Sequence, residues 1–252
     1  MKRKKDATSQ TSTSWQNVHG WYDKKVGKSG HEYHQSVIFP KLLPQLKGSV
    51  VDLACGQGVL GRQLPKTATY AGYDIAPDFI RLAKEQDTLK NHTYFVQDVT
   101  KPIKSSETFD HATVLLAAQN IENLSGLVRN GKKLLKEGGA FHLVLNHPCF
   151  RIPRQTAWGE EKERKIRYRR VDRYLSPLSI PIQAHPSQGK DSPTTLSFHK
   201  SLQDFMKPFF EAGFTLANLE EWTSPKKSEG GKAKMEDRAR EEIPLFLYLK
   251  FV

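Results

Sequence analysis

The chain of 252 residues carries 39 Lys+Arg against 27 Asp+Glu, a formal net charge of +12, with 37% hydrophobic residues and two cysteines. Such a length and apolar content support one substantial core and exclude a mini-protein or wholesale disorder. Cys55 and Cys149 are too few for a disulfide framework or a four-sulfur zinc site, so a reducing compartment and no metal are expected.

Apolar runs fall well short of the roughly 20 residues that span a bilayer, and the start MKRKKDATSQTSTSW has no apolar core of a secretion signal. A soluble, cytoplasmic protein with no membrane span is expected, a transit peptide being the alternative. The charge is uneven: residues 1–5 hold four positives, and residues 147–175 hold nine Arg/Lys against four acids. Nucleic acid, anionic lipid or an acidic small molecule would each be drawn to such a field, and a solvated basic face is the plainer reading.

Residues 1–14 are polar and aperiodic, which predicts disorder, and the domain is expected over 15–252. From 15 to 47, aromatics and histidines interrupted by Pro40 and Pro44 predict short helices laid over a core. Ser49–Ala54 reads as a buried strand, Val59–Leu64 as a helix opening, and Thr69–Tyr73 as a second strand. Pro77–Gln86 has a helix start at Pro77-Asp78 and an apolar stripe. Thr93–Val96 and Phe109–Ala118 read as strands, Leu124–Leu135 as a helix closed by Gly138-Gly139, and Ala140–Leu145 as a fifth strand.

Residues 147–195, with six prolines and the basic cluster, break the rhythm and read as an insertion without a sustained period. Leu196–Ala212 reads as a helix, Phe214–Trp222 as a strand, 225–241 as a mobile Lys/Glu/Gly-rich stretch, and Ile243–Val252 as a last, antiparallel strand. Alternating strands and helices at this spacing predict an α/β fold, a parallel sheet built from right-handed βαβ units.

The sharpest feature is Val51-Asp-Leu-Ala-Cys-Gly-Gln-Gly58. Gly56 and Gly58 sit where a strand hands over to a helix, so a ligand can lie on bare backbone amides. Gly61 completes a G-x-G-x-x-G string, which keeps a nicotinamide-dependent oxidoreductase in view. Charge separates the readings. Asp52, beside the turn, gives nothing to a pyrophosphate but attracts a ligand bearing an ammonium and a sulfonium. Asp74 ends the second strand where a carboxylate can accept both ribose hydroxyls, and Asp98 with the Val99 amide can meet an adenine edge.

The segments VVDLACGQGVLGRQL, YAGYDIAP, FVQDV, FDHATVLLAAQNIEN and LLKEGGAFHLVLNHP resemble the class I S-adenosylmethionine-dependent methyltransferases. The resemblance covers residues 49–146 well and 214–252 moderately. It implies a Rossmann-like three-layer sandwich with seven strands in the order 3-2-1-4-5-7-6, and S-adenosylmethionine as cofactor. Matched position by position, Asp52, Ala54, Gly56 and Gly58 fall on the motif that holds the methionine part. Asp74 falls on the ribose-binding acid, Ile75 beside the adenine, and Asp98 and Val99 on the adenine pair. Ala117 and Gln119 fall near the methyl group, and Tyr22 on a cover over the cofactor that His31, Tyr33 and His34 could extend. Ala54 departs from the usual glycine.

Methyl transfer from a sulfonium is an in-line displacement with an activated leaving group, so positioning can supply most of the catalysis. Acceptor-side candidates follow the fifth strand: Asn146, and His147 as a general base, with His185, His199 and Arg151 as substrate contacts. A small-molecule acceptor is preferred, with 147–195 as a lid whose arginines hold a carboxylate or pair with acids of the domain. The alternatives are an RNA or protein methyltransferase using basic residues 151–173, and a module that binds the cofactor without transferring a methyl. Oligomeric state is not legible.

Overall fold

The computed structural model describes residues 27, 29–183, 192 and 194–252. Seven strands form one sheet: β1 (Ser49–Leu53), β2 (Thr69–Asp74), β3 (His92–Val96), β4 (Phe109–Leu115), β5 (Leu135–Asn146), β10 (Leu216–Trp222) and β11 (Phe246–Phe251). Their order is β10-β11-β5-β4-β1-β2-β3. The first five are mutually parallel, and β11 runs antiparallel to both β5 and β10. Apart from four extra strands in the insertion, this is the order anticipated for a Rossmann-like methyltransferase fold.

Alternation along each strand assigns the two faces, because successive side chains of a pleated strand point oppositely. Val51, Leu143, Leu145, Leu247 and Leu249 join a core with helices α3 (Leu124–Leu134) and α4 (Leu202–Glu211). Val50, Val144, Phe246 and Tyr248 join a second core on the other face. It is covered by α2 (Pro77–Gln86) and by a helical run of His34–Ile38, α1 (Phe39–Leu42) and Leu43–Gln45. Phe209 stacks on Phe251 at 4.0 Å in the first core, and Trp222 on Tyr248 at 5.2 Å in the second.

A polar thread passes through the middle of the sheet. Tyr248 donates its hydroxyl to Gln45 Oε1 at 2.9 Å, so it accepts from His142 Nδ1 at 2.9 Å. His142 Nε2 lies 3.0 Å from His111 Nδ1, which continues the thread. Burial, with the neighbouring His111, pulls the His142 imidazolium down to about 3, so the ring is neutral.

Several elements differ from the sequence reading. Val59–Leu64 is not a helix; only Gly61–Gln63 forms a 3-10 turn, ended by Leu64, which is held extended ahead of Pro65. The insertion is ordered as two antiparallel hairpins, β6 (Thr156–Glu161) with β7 (Ile166–Val171), and β8 (Leu178–Gln183) with β9 (Thr194–His199). The predicted helix from Leu196 therefore starts only at Leu202, where Ser201 caps it by accepting the Asp204 amide. The stretch expected to be mobile contains α5 (Ala233–Glu242), packed on β7, with Glu236 paired to Arg167 at 2.6 Å. No helix among the described residues is long and apolar enough to cross a membrane.

Candidate active site

Strands β1, β2, β3 and β4 end together, and a cavity of ≈ 470 Å³ opens at that edge. Its wall includes Asp52, Ala54, Gly56, Asp74 and Ile75 from the first two strand ends. Asp98, Val99 and Ala117 come from the next two. The sheet thus gathers eight of the anticipated cofactor residues around one space.

Each carboxylate is tied down. Asp52, only 2% exposed, accepts the Tyr70 hydroxyl on Oδ2 at 2.8 Å and the Thr113 hydroxyl on Oδ1 at 2.9 Å. Burial raises its carboxyl to about 6; the two hydroxyl bonds oppose the shift and the nearby Asp74 adds to it. Asp74 accepts the Gly56 amide on Oδ2 and the Ala76 amide on Oδ1, each at 2.9 Å. Burial raises it as well, and these amide bonds hold it back. Asp98 accepts both the amide and the hydroxyl of Thr100 on Oδ1, at 2.9 and 2.7 Å, which fixes the turn after β3.

The backbone at this edge is held in the left-handed region, with φ of 65° at Ala54, 56° at Gly56 and 51° at Leu116. Leu116 and Ala54 lack glycine's freedom there, and both line the cavity. Gly58, also left-handed, has another reason: a Cβ would stand 2.7 Å from the Tyr94 ring. It is not among the residues lining the cavity, and the missing side chain lets the turn pack against β3.

Gln57 escaped the sequence reading. It is 1% exposed and lines the cavity; its Nε2 donates to the Gly27 carbonyl at 2.9 Å, which leaves Oε1 buried without a partner among the described residues. Gln119 Oε1 is likewise buried and unpartnered, while its Nε2 donates to the Leu116 carbonyl at 2.7 Å. Gln119 itself stays outside the cavity wall. Desolvated carboxylates and an orphaned amide oxygen make an acceptor-rich wall that needs donors and positive charge. An ammonium, a ribose diol and an adenine amine meet that need; a pyrophosphate brings more acceptors. The residues present therefore fit S-adenosylmethionine, and they disfavour a nicotinamide dinucleotide.

His34, Phe39, Ile121 and Phe198 also line the cavity. His34 Nδ1 accepts the His31 amide at 3.1 Å, so its proton sits on Nε2. Burial, with His31 adding repulsion, lowers the imidazolium to about 4. The ring is a neutral donor, and its place in the wall had been read only as part of a cover.

The acceptor-side candidates do not converge on the cavity. His147 donates from Nε2 to Glu221 at 2.7 Å and accepts the Cys149 amide on Nδ1 at 3.2 Å, so neither nitrogen is left to act as the anticipated base. Asn146 is exposed and pairs across from Phe246. His199 is buried against the Tyr174 carbonyl at 2.7 Å. Arg151 lies over Trp158 in the insertion. None of the four lines the cavity. Tyr22 and His185 lie outside the described residues.

Sheet order, the turn after β1 and the acids around it define the class I methyltransferase fold. A family model described as a methyltransferase domain matches residues 51–143. Over those residues the chain is thus similar to a methyltransferase domain. The ubiquinone biosynthesis O-methyltransferase of Coxiella burnetii is 33% identical over 121 residues, 46% of this chain and 51% of that protein. The chain spans about half the length of the curated relatives it matches. An S-adenosylmethionine-dependent methyltransferase from Mesorhizobium loti superposes with a TM-score of 0.66 at 23% identity, over 85% of this chain and 95% of that one. A putative one from Listeria monocytogenes gives 0.63 at 19%, over 87% and 96%.

Proposed function

We propose that the chain transfers the methyl group of S-adenosylmethionine to a small-molecule acceptor. The observation that carries this reading is the cavity of about 470 Å³, lined by His34, Phe39 and Phe198 as well as by the strand-end acids: its size suits compact ligands better than a polymer. The similarity to an O-methyltransferase of ubiquinone biosynthesis supports the acceptor class.

In this reading Asp52 and the Gln57 amide oxygen take the cationic end of the cofactor, Asp74 the ribose, and Asp98 with Val99 the adenine. The bound sulfonium supplies an activated methyl and a neutral leaving sulfur. The chain's part is to orient and desolvate: apolar Leu116, Ile121 and Phe198 exclude water, and His34 donates from Nε2 to an acceptor oxygen that enters as the anion, its proton already lost to solvent. No protein nucleophile is required.

The test has two stages. Titration calorimetry with S-adenosylhomocysteine and with NAD should give saturable binding of the first alone. Labelled S-adenosylmethionine incubated with small-molecule, RNA and protein fractions of a cell extract should then place label in the small-molecule fraction. Label in RNA would transfer the assignment to the basic residues 151–173, and cofactor binding with no labelled product would leave a binding module.

A further inference from the structure

Trp158, on β6, is ringed by cations. The guanidinium carbons of Arg167, Arg169 and Arg151 lie 5.1, 5.2 and 5.7 Å from its ring centroid. Among the described residues one of the three has a counter-charge: Arg167 meets Glu236 at 2.6 Å. Arg169 donates from Nε to the Phe150 carbonyl at 2.8 Å and from Nη2 to the Thr156 hydroxyl at 2.7 Å, both neutral acceptors. Arg151 has no carboxylate partner among the described residues, and its Nε is buried without an acceptor.

Two half-buried positive charges therefore share one aromatic ring with no anion between them. Burial and the repulsion of Arg169 pull the Arg151 guanidinium down to about 10, a sign of unmet charge in a poorly hydrated place. A ring face can soften that field but leaves N–H donors unanswered. The planar fork of a guanidinium matches two oxygens of one oxyanion; Arg169 stands on β7, steadied by its Nε and Nη2 bonds, and its Nη1 edge has no acceptor among the described residues.

The place matters as much as the charge. The Arg151 amide donates to the His147 carbonyl at 2.8 Å, so this side chain is launched from the end of β5, on the edge where the cavity opens. The Tyr33 hydroxyl lies within the electrostatic reach of Arg151, and Tyr33 directly precedes His34 of the cavity wall.

We propose that Arg151 and Arg169, mounted on Trp158, form a seat for an oxyanion, a carboxylate or phosphate, carried by the methyl acceptor. This rests on the small-molecule reading for the acceptor but not for the seat itself.

The experiment is anion titration of the full chain at fixed ionic strength, by calorimetry and thermal shift, with inorganic phosphate and with benzoate as probes and without cofactor. One probe at least should saturate with 1:1 stoichiometry, which also tells the two chemistries apart. Arg151→Gln should weaken it at least tenfold, and exposed Arg164→Gln should leave it unchanged. If Arg151→Gln fails to fold, Arg169→Lys, which keeps the charge and loses the fork, should still weaken binding several-fold. No saturable binding, or equal loss in Arg164→Gln, overturns the seat. Saturable binding with label going to RNA keeps the seat and overturns the small-molecule reading. Where small-molecule products are found, Arg151→Gln should raise KM with kcat little changed; an unchanged KM detaches the seat from the acceptor.

Discussion

At the turn after β1 the charged groups are fixed by hydroxyls and backbone amides and still face a cavity. On the β6–β7 hairpin, most of the charged groups with a partner meet an opposite charge: Glu161 with Arg164 and Arg170 with Asp172 nearby in sequence, Glu160 with Lys232 and Arg167 with Glu236 from the start of α5. Both regions are rich in charge, and their composition alone would rank the hairpin as the stronger binding surface. The difference lies in what neutralises the charge. Dipoles hold a carboxylate without cancelling it, whereas an opposite charge on the same surface uses up the field a ligand would meet.

The sharpest way to break this contrast is Asp74→Ala. Two buried amide bonds and the proposed ribose contacts disappear together, so affinity for S-adenosylhomocysteine should fall by about 100-fold or more, with about 1–3 kcal/mol of stability lost per orphaned amide. Calorimetry and urea unfolding read the two effects separately. Unchanged affinity would remove Asp74 from the cofactor site.

Asp52 tests the same idea through pH. Its folded-state carboxyl is raised to about 6, so the folded protein holds a proton that the unfolded chain, near 3.8, releases. Stability of the free protein therefore falls as pH rises from about 4 to 6, and the cost remains above 6. Binding runs the other way, because a cation prefers the ionised form: affinity for S-adenosylmethionine should rise through pH 6, by up to about tenfold per unit. Asp52→Asn should flatten that profile. A variant with the wild-type slope would assign the titration elsewhere.

A smaller effect is expected from Ala54→Gly. With φ at 65°, alanine carries a left-handed penalty that glycine does not, so thermal unfolding should show a gain of about 1 kcal/mol. At the bottom of the scale, Arg164→Gln with Arg170→Gln should move stability by less than about 0.5 kcal/mol and leave cofactor affinity unchanged, as exposed ion pairs do. A large loss of either would mean that these exposed pairs, and not only the arginines over Trp158, are functional.

Legibility in the sequence followed the same divide. The sheet and the acid positions 52, 74 and 98 were readable because parallel strands write themselves as short apolar runs and the loop between them is local. The hairpins were not. Their strands pair Trp158 with Arg169 and Glu160 with Arg167, and alternation between charged and aromatic residues carries no apolar period to detect. His147 misled for a related reason: its position after β5 was right for chemistry, but Glu221 comes from β10, 74 residues away, and nothing local announces it. Gln57 was hidden by its neighbours, since between two glycines only the backbone drew notice. The helix over 233–242 escaped because its charges answer residues on a distant hairpin.

The thread from His111 through His142 and Tyr248 to Gln45 has a quiet consequence. Its end at Gln45 cannot ionise, and the central ring stays uncharged until strong acid. The middle of the sheet is thus deaf to mild acidification, while the ligand edge, through Asp52, hears it. Lowering the pH to 5 would loosen the grip on a cation long before it disturbed the scaffold beneath.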